Sequence, residues 1–404
     1  MKLDFSIPRR VRLVYFGRIG LGILRNYITE TNTTIYENPR IRLNVWVALR
    51  MLLSGKRTEY AYYRAFLRWT KPHAVITMED NNITFYATKA ISPTCKTIAV
   101  QNGVRNSHSH AADSDFKHDL QRLNKEGYDA DIIATLGGLG SNFYRDALSD
   151  SRAHLIEVGH LMNNALTLAS TSDTNRRLVY ISKFPNRGAA GVDPEWDSKI
   201  ILYLGEVGLT ARQYYNIEAV AARACAVMAR EYSLPFVVLG KRPEWQVGER
   251  NFFAKHLAEL PWEYMPSTYQ ASSYESIRPD DIIVNVDSTL GYELFARGLR
   301  VVFVAARMHA AEHPEIVEHR FGYPLITDAS GPYWTSESSD LEIRRVLQTA
   351  ISVSNEEWST LTRNNRQMLF HFDQGNALFC RELDRIGISN TGPRLWTREL
   401  IPRN

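Results

Sequence analysis

The feature that most constrains the fold is a repeated alternation of short apolar segments with amphipathic ones. Residues 73–79 (HAVITME), 97–103 (TIAVQNG) and 130–137 (ADIIATLG) are short and rich in apolar or β-branched side chains, as buried strands are. Segments such as 58–70 (TEYAYYRAFLRWT) have apolar residues three and four positions apart, which predicts helices. Strands that alternate with helices form a parallel sheet covered on both faces. The sequence therefore predicts an α/β fold.

The alternation occurs in two series. Residues 184–199 (FPNRGAAGVDPEWDSK) are rich in Pro, Gly and charge, lack periodicity, and indicate a linker. A second series begins at residues 200–206 (IILYLGE), and helical segments end the chain. Because 404 residues exceed one ordinary domain, two α/β domains are expected. We predict domains at residues 1–190 and 191–370, followed by a helical tail at 371–404.

The charge is distributed unevenly along the chain. Residues 1–72 contain fourteen Lys and Arg against four Asp and Glu, a balance of +10, whereas the whole chain carries +4, so the remainder sums to −6. This asymmetry predicts an anionic partner such as a membrane face, a lipid phosphate or an acidic sugar. The alternative is a solvated, Arg-rich helical face. No known reader motif accompanies the charge, so nucleic acid is not expected as a partner.

The cysteines and the N-terminal segment bear on the compartment. Cys95, Cys225 and Cys380 are far apart and form no disulfide or CxxC pattern, which suits a reducing cytoplasm. The first twenty residues lack an uninterrupted apolar core, and no apolar run is long enough to span a bilayer. We therefore expect a cytoplasmic protein, either free or peripheral at a membrane.

A turn in the second series predicts an anion site. Residues 284–305 (VNVDSTLGYELFARGLRVVFVA) are typical of a strand, a small polar turn, a helix and a second strand. Amides of a turn built from Ser288, Thr289 and Gly291 would point to a phosphate at the positive end of the helix dipole. Glu293, early on the helix, would bind the ribose of a nucleotide. Alternatively, these residues only cap the helix.

Two other loops of the second series contribute candidates. Lys241 and Arg242 end a strand as adjacent cations suited to a diphosphate, although a surface ion pair explains them equally well. Glu206, in residues 205–210 (GEVGLT), supplies a carboxylate next to two glycines.

Two loops of the first series supply carboxylates, amides and imidazoles. Glu79 and Asp80 follow a strand, and because adjacent side chains point to opposite faces, only one of them should enter a site. Such a carboxylate serves as a base or a nucleophile, unless the pair merely caps a turn. Residues 101–110 (QNGVRNSHSH) bring the amides Gln101 and Asn102, Arg105 as a bidentate anion ligand, and His108 as a proton acceptor. The His-x-His spacing has no further ligand nearby, so no metal site is predicted.

These segments together resemble a known family. Residues 286–304 are similar to the donor-binding strand, loop and helix of GT-B glycosyltransferases, including the lipid-linked N-acetylglucosaminyltransferase of peptidoglycan synthesis. The order of further motifs resembles that of bacterial surface-carbohydrate (O-antigen and capsule) biosynthesis glycosyltransferases. The motifs are MEDNN (78–82), QNGVR (101–105), GHLMNN (159–164), STLGYE (288–293), GPYW (331–334) and EEW (356–358).

The resemblance implies a GT-B fold of two Rossmann-like domains facing across a cleft, with C-terminal helices. The first domain would bind a polysaccharide or lipid-linked glycan acceptor through Gln101, Asn102 and Arg105. The second would bind a nucleotide sugar through Lys241, Arg242, Ser288, Thr289, Gly291 and Glu293. No D-x-D motif is present, so we expect neither a metal nor any cofactor beyond the donor substrate. The expected location is the cytoplasm, free or peripheral at the inner face of the inner membrane.

The catalytic group and the reaction remain open at this point. We rank Asp80 first, because the Asn81-Asn82 turn should hold its backbone out, then Glu79 and His108, with Glu206 the best candidate from the second domain. The basic first domain makes an acidic sugar donated from CMP, such as Kdo, a donor to test. Alternatives are a nucleotide-sugar epimerase of the same fold and a non-catalytic sugar-binding scaffold. The E-x7-E signature of the commonest retaining enzymes is absent, so stereochemistry stays open.

Overall fold

The computed structural model of the chain describes residues 1–105, 111–168, 176–184, 194–204, 206–268 and 272–388. These residues form two compact units. The first unit takes in residues 1–105, 112–165 and 373–388, and the second lies within residues 166–372. The second unit thus begins before the boundary predicted at residue 190, and residues 373–388, predicted as part of a separate tail, belong to the first unit.

The first unit follows the predicted alternation of strands and helices. Its elements in chain order are β1 (Lys2–Asp4), β2 (Leu13–Phe16), α1 (Leu21–Leu24), β3 (Thr33–Tyr36), β4 (Arg42–Asn44), α2 (Val45–Leu52), α3 (Glu59–Thr70), β5 (Ala74–Thr77), α4 (Ile83–Ile91), β6 (Lys96–Val100), α5 (Ala111–Asn124), β7 (Ile132–Thr135), α6 (Gly138–Ala147), β8 (His154–Glu157) and α7 (Leu161–Ala165).

Six of these strands form one parallel sheet in the order β3-β2-β5-β6-β7-β8, and β1 pairs separately with β4. Strands β2, β5 and β7 are buried along their whole length, as expected for a sheet with helices on both faces. The chain moves outward from β2 to β3 and then returns to β5 on the other side of β2. Such a reversal marks the place where α/β sheets bind ligands, at the carboxyl ends of the two strands.

The second unit contains the remaining strands and most of the remaining helices. They are β9 (Leu178–Ile181), α8 (Pro194–Ser198), β10 (Ile200–Leu204), β11 (Val207–Thr210), α9 (Ala211–Glu231), β12 (Phe236–Leu239), α10 (Gly248–Leu257), β13 (Glu263–Met265), α11 (Ser272–Ser276), β14 (Ile282–Asn285), α12 (Thr289–Ala296), β15 (Arg300–Val304), α13 (Arg307–Ala310), β16 (Ser330–Gly331), β17 (Trp334–Thr335), α14 (Asp340–Ser352) and α15 (Asn355–Leu369).

The second sheet has seven strands in the order β13-β12-β9-β14-β15-β17-β16, all parallel except the last pair. Strand β9, which the sequence analysis assigned to the first series, lies at the centre because its residues pair with both β12 and β14. The chain runs from β9 out to β13 and returns to β14 on the other side. The reversal therefore lies between β9 and β14.

Strands β10 and β11 do not join the large sheet. They form an antiparallel hairpin of their own, and Ile200, Ile201 and Tyr203 are exposed. The prediction that residues 200–206 open a parallel series is therefore wrong: this strand pairs antiparallel with β11, and its Leu202 and Leu204 pack in a small cluster with Leu209 and Met308. Helix α9 follows the hairpin directly and begins with a capping box between Thr210 and Gln213.

The return segment packs into the first unit. It consists of a 3-10 turn (Gln374–Asn376) and α16 (Ala377–Arg385). The side-chain Nδ2 of Asn376 donates to the Tyr27 hydroxyl at 2.5 Å and to the Leu161 carbonyl at 2.9 Å. The Asn164 amide donates to Asn376 Oδ1 at 2.8 Å. Across the described ranges, no helix is long and apolar enough to cross a membrane.

Candidate functional site

The second unit has a cavity of about 200 Å³ at the carboxyl ends of β9, β12 and β14, where the chain reverses. Of the predicted donor-binding residues, Lys241 and Ser288 line it together, with Ser182 and Gly240 from the strand ends beside them. Tyr274 and Leu290 complete its wall. The structure therefore brings the loop after β12 and the first turn of α12 to one pocket, as the sequence analysis predicted.

The turn before α12 is held by the buried Asn285 side chain. Its Oδ1 accepts from the Ser288 amide at 3.0 Å, and its Nδ2 donates to the Ser288 carbonyl at 3.1 Å. A Cβ on Gly291 would lie 2.2 Å from the Asn285 Cγ, so packing alone requires glycine there. The Gly291 amide donates to the Ser288 carbonyl at 3.1 Å. The amides of Ser288 and Gly291 are therefore bonded within the turn itself, and fewer amides than predicted can contact a phosphate.

Two backbone amides in the first turn of α12 are available to a ligand. Within the described part of the chain, the amides of Thr289 and Leu290 have no hydrogen-bond partner, and the Ser288 side chain makes no capping bond. Unpaired amides in the first helical turn favour an anion because they lie at the positive end of the helix dipole.

Three cationic residues, Lys183, Lys241 and Arg242, follow the carboxyl ends of β9 and β12. Partial burial, together with the charges of Lys183 and Arg242, lowers the pKa of Lys241 below its ordinary value. The Nε of Arg242 is buried and has no hydrogen-bond partner among the residues described. The Lys183 ammonium lies 3.2 Å from Asp287 Oδ1. Cations that repel one another in this way gain from an anion placed between them.

A buried carboxylate, Glu249, fixes the loops that carry these cations. It accepts the amides of Lys241 and Arg242 at 3.1 and 3.0 Å, the Tyr264 hydroxyl at 2.7 Å, and the Ser182 hydroxyl. The sequence analysis missed this residue. The one sequence feature that marks Glu249 is its acidic side chain in the first turn of α10, the helix that follows the loop with Lys241 and Arg242.

A buried ion network supports the loop after β14. Arg307 donates to both carboxylate oxygens of Asp287, at 2.7 and 3.0 Å, and to Glu218 at 3.0 Å. Burial would raise the pKa of Asp287, but Arg307 and Lys183 outweigh it and hold that pKa well below its usual value. Burial raises the pKa of Glu218 despite Arg307. No sequence pattern identifies Glu218 on α9 and Arg307 on α13, because nothing local relates two residues on separate helices.

Glu293 lies directly behind the pocket wall. Its side chain is buried, and its carboxylate accepts a hydrogen bond from the hydroxyl of Tyr274, which lines the pocket. Burial and the charge of Glu293 raise the pKa of Tyr274 well above its ordinary value. Glu293 itself does not line the pocket; it accepts a hydrogen bond from the pocket-lining Tyr274, a residue that no sequence pattern identified.

In the first unit, Glu79 lies where the chain reverses between β2 and β5. Its Oε1 accepts the Arg18 amide at 3.1 Å, and its own amide donates to Thr77 Oγ1 at 2.8 Å. Together with Ile19, Asn82 and other residues, it lines an open cavity of about 360 Å³. The position is that expected of a ligand-binding or reacting group in an α/β sheet.

Asp80 points the other way and is fully buried. Arg105 donates to its two carboxylate oxygens at 2.7 and 2.6 Å. The Tyr144 hydroxyl and the Asn102 backbone amide also donate to the Asp80 carboxylate, at 2.5 and 3.1 Å. Burial would lower the pKa of Arg105, but the charge of Asp80 raises it above the ordinary value. Asp80 is thus enclosed by the protein whereas Glu79 borders a cavity, so the geometry does not support ranking Asp80 above Glu79, and Arg105 binds this buried aspartate.

The remaining candidates are dispersed. The buried Gln101 side chain binds the Leu136 amide at 2.9 Å and the Gly103 carbonyl at 2.8 Å, which is a packing role, whereas Asn102 is exposed. Glu206 is exposed in the turn of the β10–β11 hairpin, not at the carboxyl end of a strand of the seven-stranded sheet. His108 lies outside the described residues. Among those residues, no group of three His, Cys, Asp or Glu side chains is arranged to hold a metal ion.

Comparison with known proteins identifies a family and a fold. A family model described as "putative O-antigen biosynthesis protein" matches residues 98–386. No curated protein matches significantly. The co-structure of S. aureus MnaA with UDP is 9% identical, covering 96% of this chain and 100% of that chain with a TM-score of 0.53. A UDP-N-acetylglucosamine 2-epimerase is 12% identical, with the same coverage and a TM-score of 0.51. At such identities the likeness concerns the fold alone, and it confirms the predicted GT-B-type α/β fold.

Proposed function

The chain belongs to the O-antigen biosynthesis protein family, and we propose that it is a glycosyltransferase using a nucleotide-sugar donor. The acceptor is a surface polysaccharide or a lipid-linked glycan. The observation that carries the proposal is the pocket at the carboxyl ends of β9, β12 and β14, with Lys241 and the open first turn of α12 in its wall. A helix N-terminus beside clustered cations at the reversal of an α/β sheet suits a nucleotide diphosphate or monophosphate.

Each donor group has a partner in this pocket. The phosphates would lie between Lys241 and Leu290, which line the pocket, with Arg242 and the amide of Thr289 as the adjacent residues of the same two loops. Glu293, with the Tyr274 hydroxyl, would accept the hydroxyls of the ribose. Glu249 contributes by holding the Lys241 and Arg242 amides in place. UDP, which MnaA binds, and CMP, expected for an acidic sugar, are the first nucleotides to test.

The reaction replaces a phosphate leaving group on the anomeric carbon with an acceptor oxygen. As the bond to the phosphate breaks, negative charge develops on the nucleotide, and Lys241 and Arg242 would stabilise it. The acceptor hydroxyl loses a proton as its oxygen bonds to the anomeric carbon, and Glu79 is our choice for the base that takes it. We propose no metal ion and no cofactor other than the donor itself.

The proposed location follows from the acceptor and from the charge. A lipid-linked glycan is assembled at a membrane, and the first 72 residues carry a balance of +10. We therefore propose that the protein works in the cytoplasm, at the inner face of the inner membrane.

One experiment separates this function from its alternatives. A thermal-shift screen with CMP, UDP, GDP and dTDP selects the nucleotide, and the purified protein is then incubated with matching nucleotide sugars, with and without a glycan acceptor. Nucleotide release that requires the acceptor supports the transferase. An isomerised donor without acceptor would establish an epimerase instead, and binding with no turnover in any combination would favour a scaffold.

A further inference from the structure

A segment of the first unit that the proposed reaction does not use combines exposed apolar side chains with positive charge. Residues 38–58 contain five Lys and Arg and no Asp or Glu. They include strand β4 and helix α2, whose sequence VWVALRML is apolar on every side except at Arg50. A helix that is apolar all round is normally buried all round, in a protein core or in a membrane.

Helix α2 is buried on one side only. Val47 is fully buried in the core of the first unit, and Ala48 and Met51 pack against the same core. On the other side, Trp46, Leu49 and Leu52 are 41%, 48% and 46% exposed, and Leu53 after the helix is 89% exposed. At 100° per residue, these exposed positions fall on one continuous face.

The neighbouring segments extend this face. Strand β1 pairs with β4, and the Trp46 indole donates to the Phe5 carbonyl at 2.8 Å, so these residues are adjacent. Phe5 is 68% exposed and Ile41 is 62% exposed. We call the set Phe5, Ile41, Trp46, Leu49, Leu52 and Leu53 the apolar face. Large contiguous apolar patches of this kind mark interaction sites on soluble proteins.

The cations beside the apolar face are available to a partner. Within the described ranges, the exposed side chains of Arg40, Lys56 and Arg57 form no ion pair, and Arg50 only lies over the Trp69 ring. The fifth cation of the segment, Arg42, pairs with Asp4 at 3.0 Å. Positive charge without a counter-charge is thus present in the same segment that exposes the apolar side chains.

We propose that the first unit docks on an anionic lipid bilayer by inserting the apolar face among the lipid headgroups. The surrounding cations would contact headgroup phosphates, and the amphipathic Trp46 would lie at the interface, where Trp is enriched. Charge complementarity favours a bilayer over a second copy of the chain. A two-fold contact would bring the same unpaired cations together, whereas an anionic surface neutralises them. This docking does not depend on the proposed reaction.

The test is cosedimentation of the full chain with phosphatidylcholine vesicles that contain or lack phosphatidylglycerol. We expect binding only to the anionic vesicles, weakened by salt. The triple variant Leu49→Ser, Leu52→Ser, Leu53→Ser should bind at least tenfold more weakly. The matched control is Leu341→Ser with Leu361→Ser, which changes exposed leucines of the second unit and should bind like the unsubstituted chain. A second variant, Arg50→Gln, Lys56→Gln, Arg57→Gln, should also bind at least tenfold more weakly and lose most of its salt dependence.

Three results would overturn the proposal. The first is no binding to anionic vesicles, and the second is equal binding by the unsubstituted chain and the serine variant. The third is a dimer in solution that the serine substitutions convert to a monomer, which would assign the apolar face to a second copy. If the serine variant fails to fold, the glutamine variant tests the proposal: vesicle binding equal to that of the unsubstituted chain, with the same salt dependence, would overturn it. Activity towards a water-soluble acceptor should be unchanged in both variants, so failure of the docking and failure of the proposed function are distinguishable.

Discussion

The carboxylate of Glu79 lies directly over the backbone of Gly17. A Cβ added to Gly17 would come within 2.0 Å of Glu79 Oε1, the same oxygen that accepts the Arg18 amide. The backbone of Gly17 has a φ of +80°, which other residues adopt only with strain. The turn after β2 therefore fixes the position of the proposed base, and glycine is the only residue that leaves room for it.

Replacing Glu79 by Gln should abolish most of the transferase activity. The substitution preserves the shape and removes the charge, so turnover should fall by about 10² or more while the affinity for the nucleotide stays nearly unchanged. Steady-state rates and calorimetry measure the two quantities. Glu206→Gln, in the exposed turn of the β10–β11 hairpin, is the control and should turn over normally. The opposite pattern would move the catalytic carboxylate to the second unit.

Replacing Gly17 by Ala should reduce turnover without removing any catalytic group, because the new Cβ displaces the Glu79 carboxylate. Gly55→Ala is a matched control, since Gly55 has a φ of +73° but no atom within 4 Å of an added Cβ. Both variants should lose about 1 kcal/mol of stability from backbone strain. Only Gly17→Ala should lose activity. If the two variants have equal turnover, the position of Glu79 is not critical for the reaction.

Replacing Arg105 by Met should destabilise the first unit strongly. The fully buried Asp80 would lose both of its guanidinium bonds, and breaking a buried pair on one side costs about 3–5 kcal/mol. Urea unfolding measures the change. Lys117→Met breaks the ion pair between Lys117 and Asp146, whose aspartate is 65% exposed, and should cost less than about 1 kcal/mol. A small effect of Arg105→Met would show that Asp80 does not depend on its partner.

Replacing Glu293 by Ala should weaken nucleotide binding by about 10- to 150-fold, which corresponds to the loss of one charged hydrogen bond of about 1.5–3 kcal/mol. Calorimetry with the nucleotide selected by thermal shift measures the change. Tyr274→Phe removes the hydroxyl that Glu293 accepts but keeps the carboxylate, so its effect should be smaller. If Glu293→Ala and the unsubstituted chain bind the nucleotide with equal affinity, Glu293 does not contribute to nucleotide binding.

Nucleotide affinity should fall at high pH through Lys241. Burial and the neighbouring Lys183 and Arg242 lower the pKa of Lys241, so the ammonium loses its proton below the ordinary lysine value of 10.5. Phosphate binding needs the protonated form, and affinity should therefore decline as the pH rises towards that lowered pKa. Lys241→Arg keeps its charge throughout and should show a flatter profile. Identical profiles for the two proteins would assign the decline to another group.

The elements that the sequence predicts well are those with strong local patterns. The apolar runs gave β5, β6 and β7 close to their observed bounds, and the turn at Ser288 lies in the pocket at the carboxyl ends of β9, β12 and β14. The alternation of side chains along a strand also predicts correctly that Glu79 and Asp80 point in opposite directions. Which of them faces solvent depends on Arg105 and Tyr144, and no local pattern relates those residues to Asp80.

What the sequence does not predict depends on pairing over long distances. The sequence of β9 has the same apolar pattern as the strands before it. Its place in the second sheet follows only from its backbone pairing with β12 and β14. In the hairpin β10–β11, Ile200, Ile201 and Tyr203 are exposed although their apolar pattern predicts a buried strand. In the sequence, Glu249 cannot be distinguished from any other acidic residue at the start of a helix. Its role follows from its four hydrogen-bond donors, which come from three separate loops or strands.

The return of the chain to the first unit has a consequence for its synthesis. Asn376, which joins Tyr27 and Asn164 in the interior of that unit, follows Ala165 in the sequence by more than two hundred residues. At about 5–20 residues per second, the ribosome needs on the order of ten to forty seconds to reach it. During that interval the nascent first unit lacks its last helix, whereas the main part of the second unit, residues 166–372, is made without interruption. The part of the protein made first is therefore the part completed last.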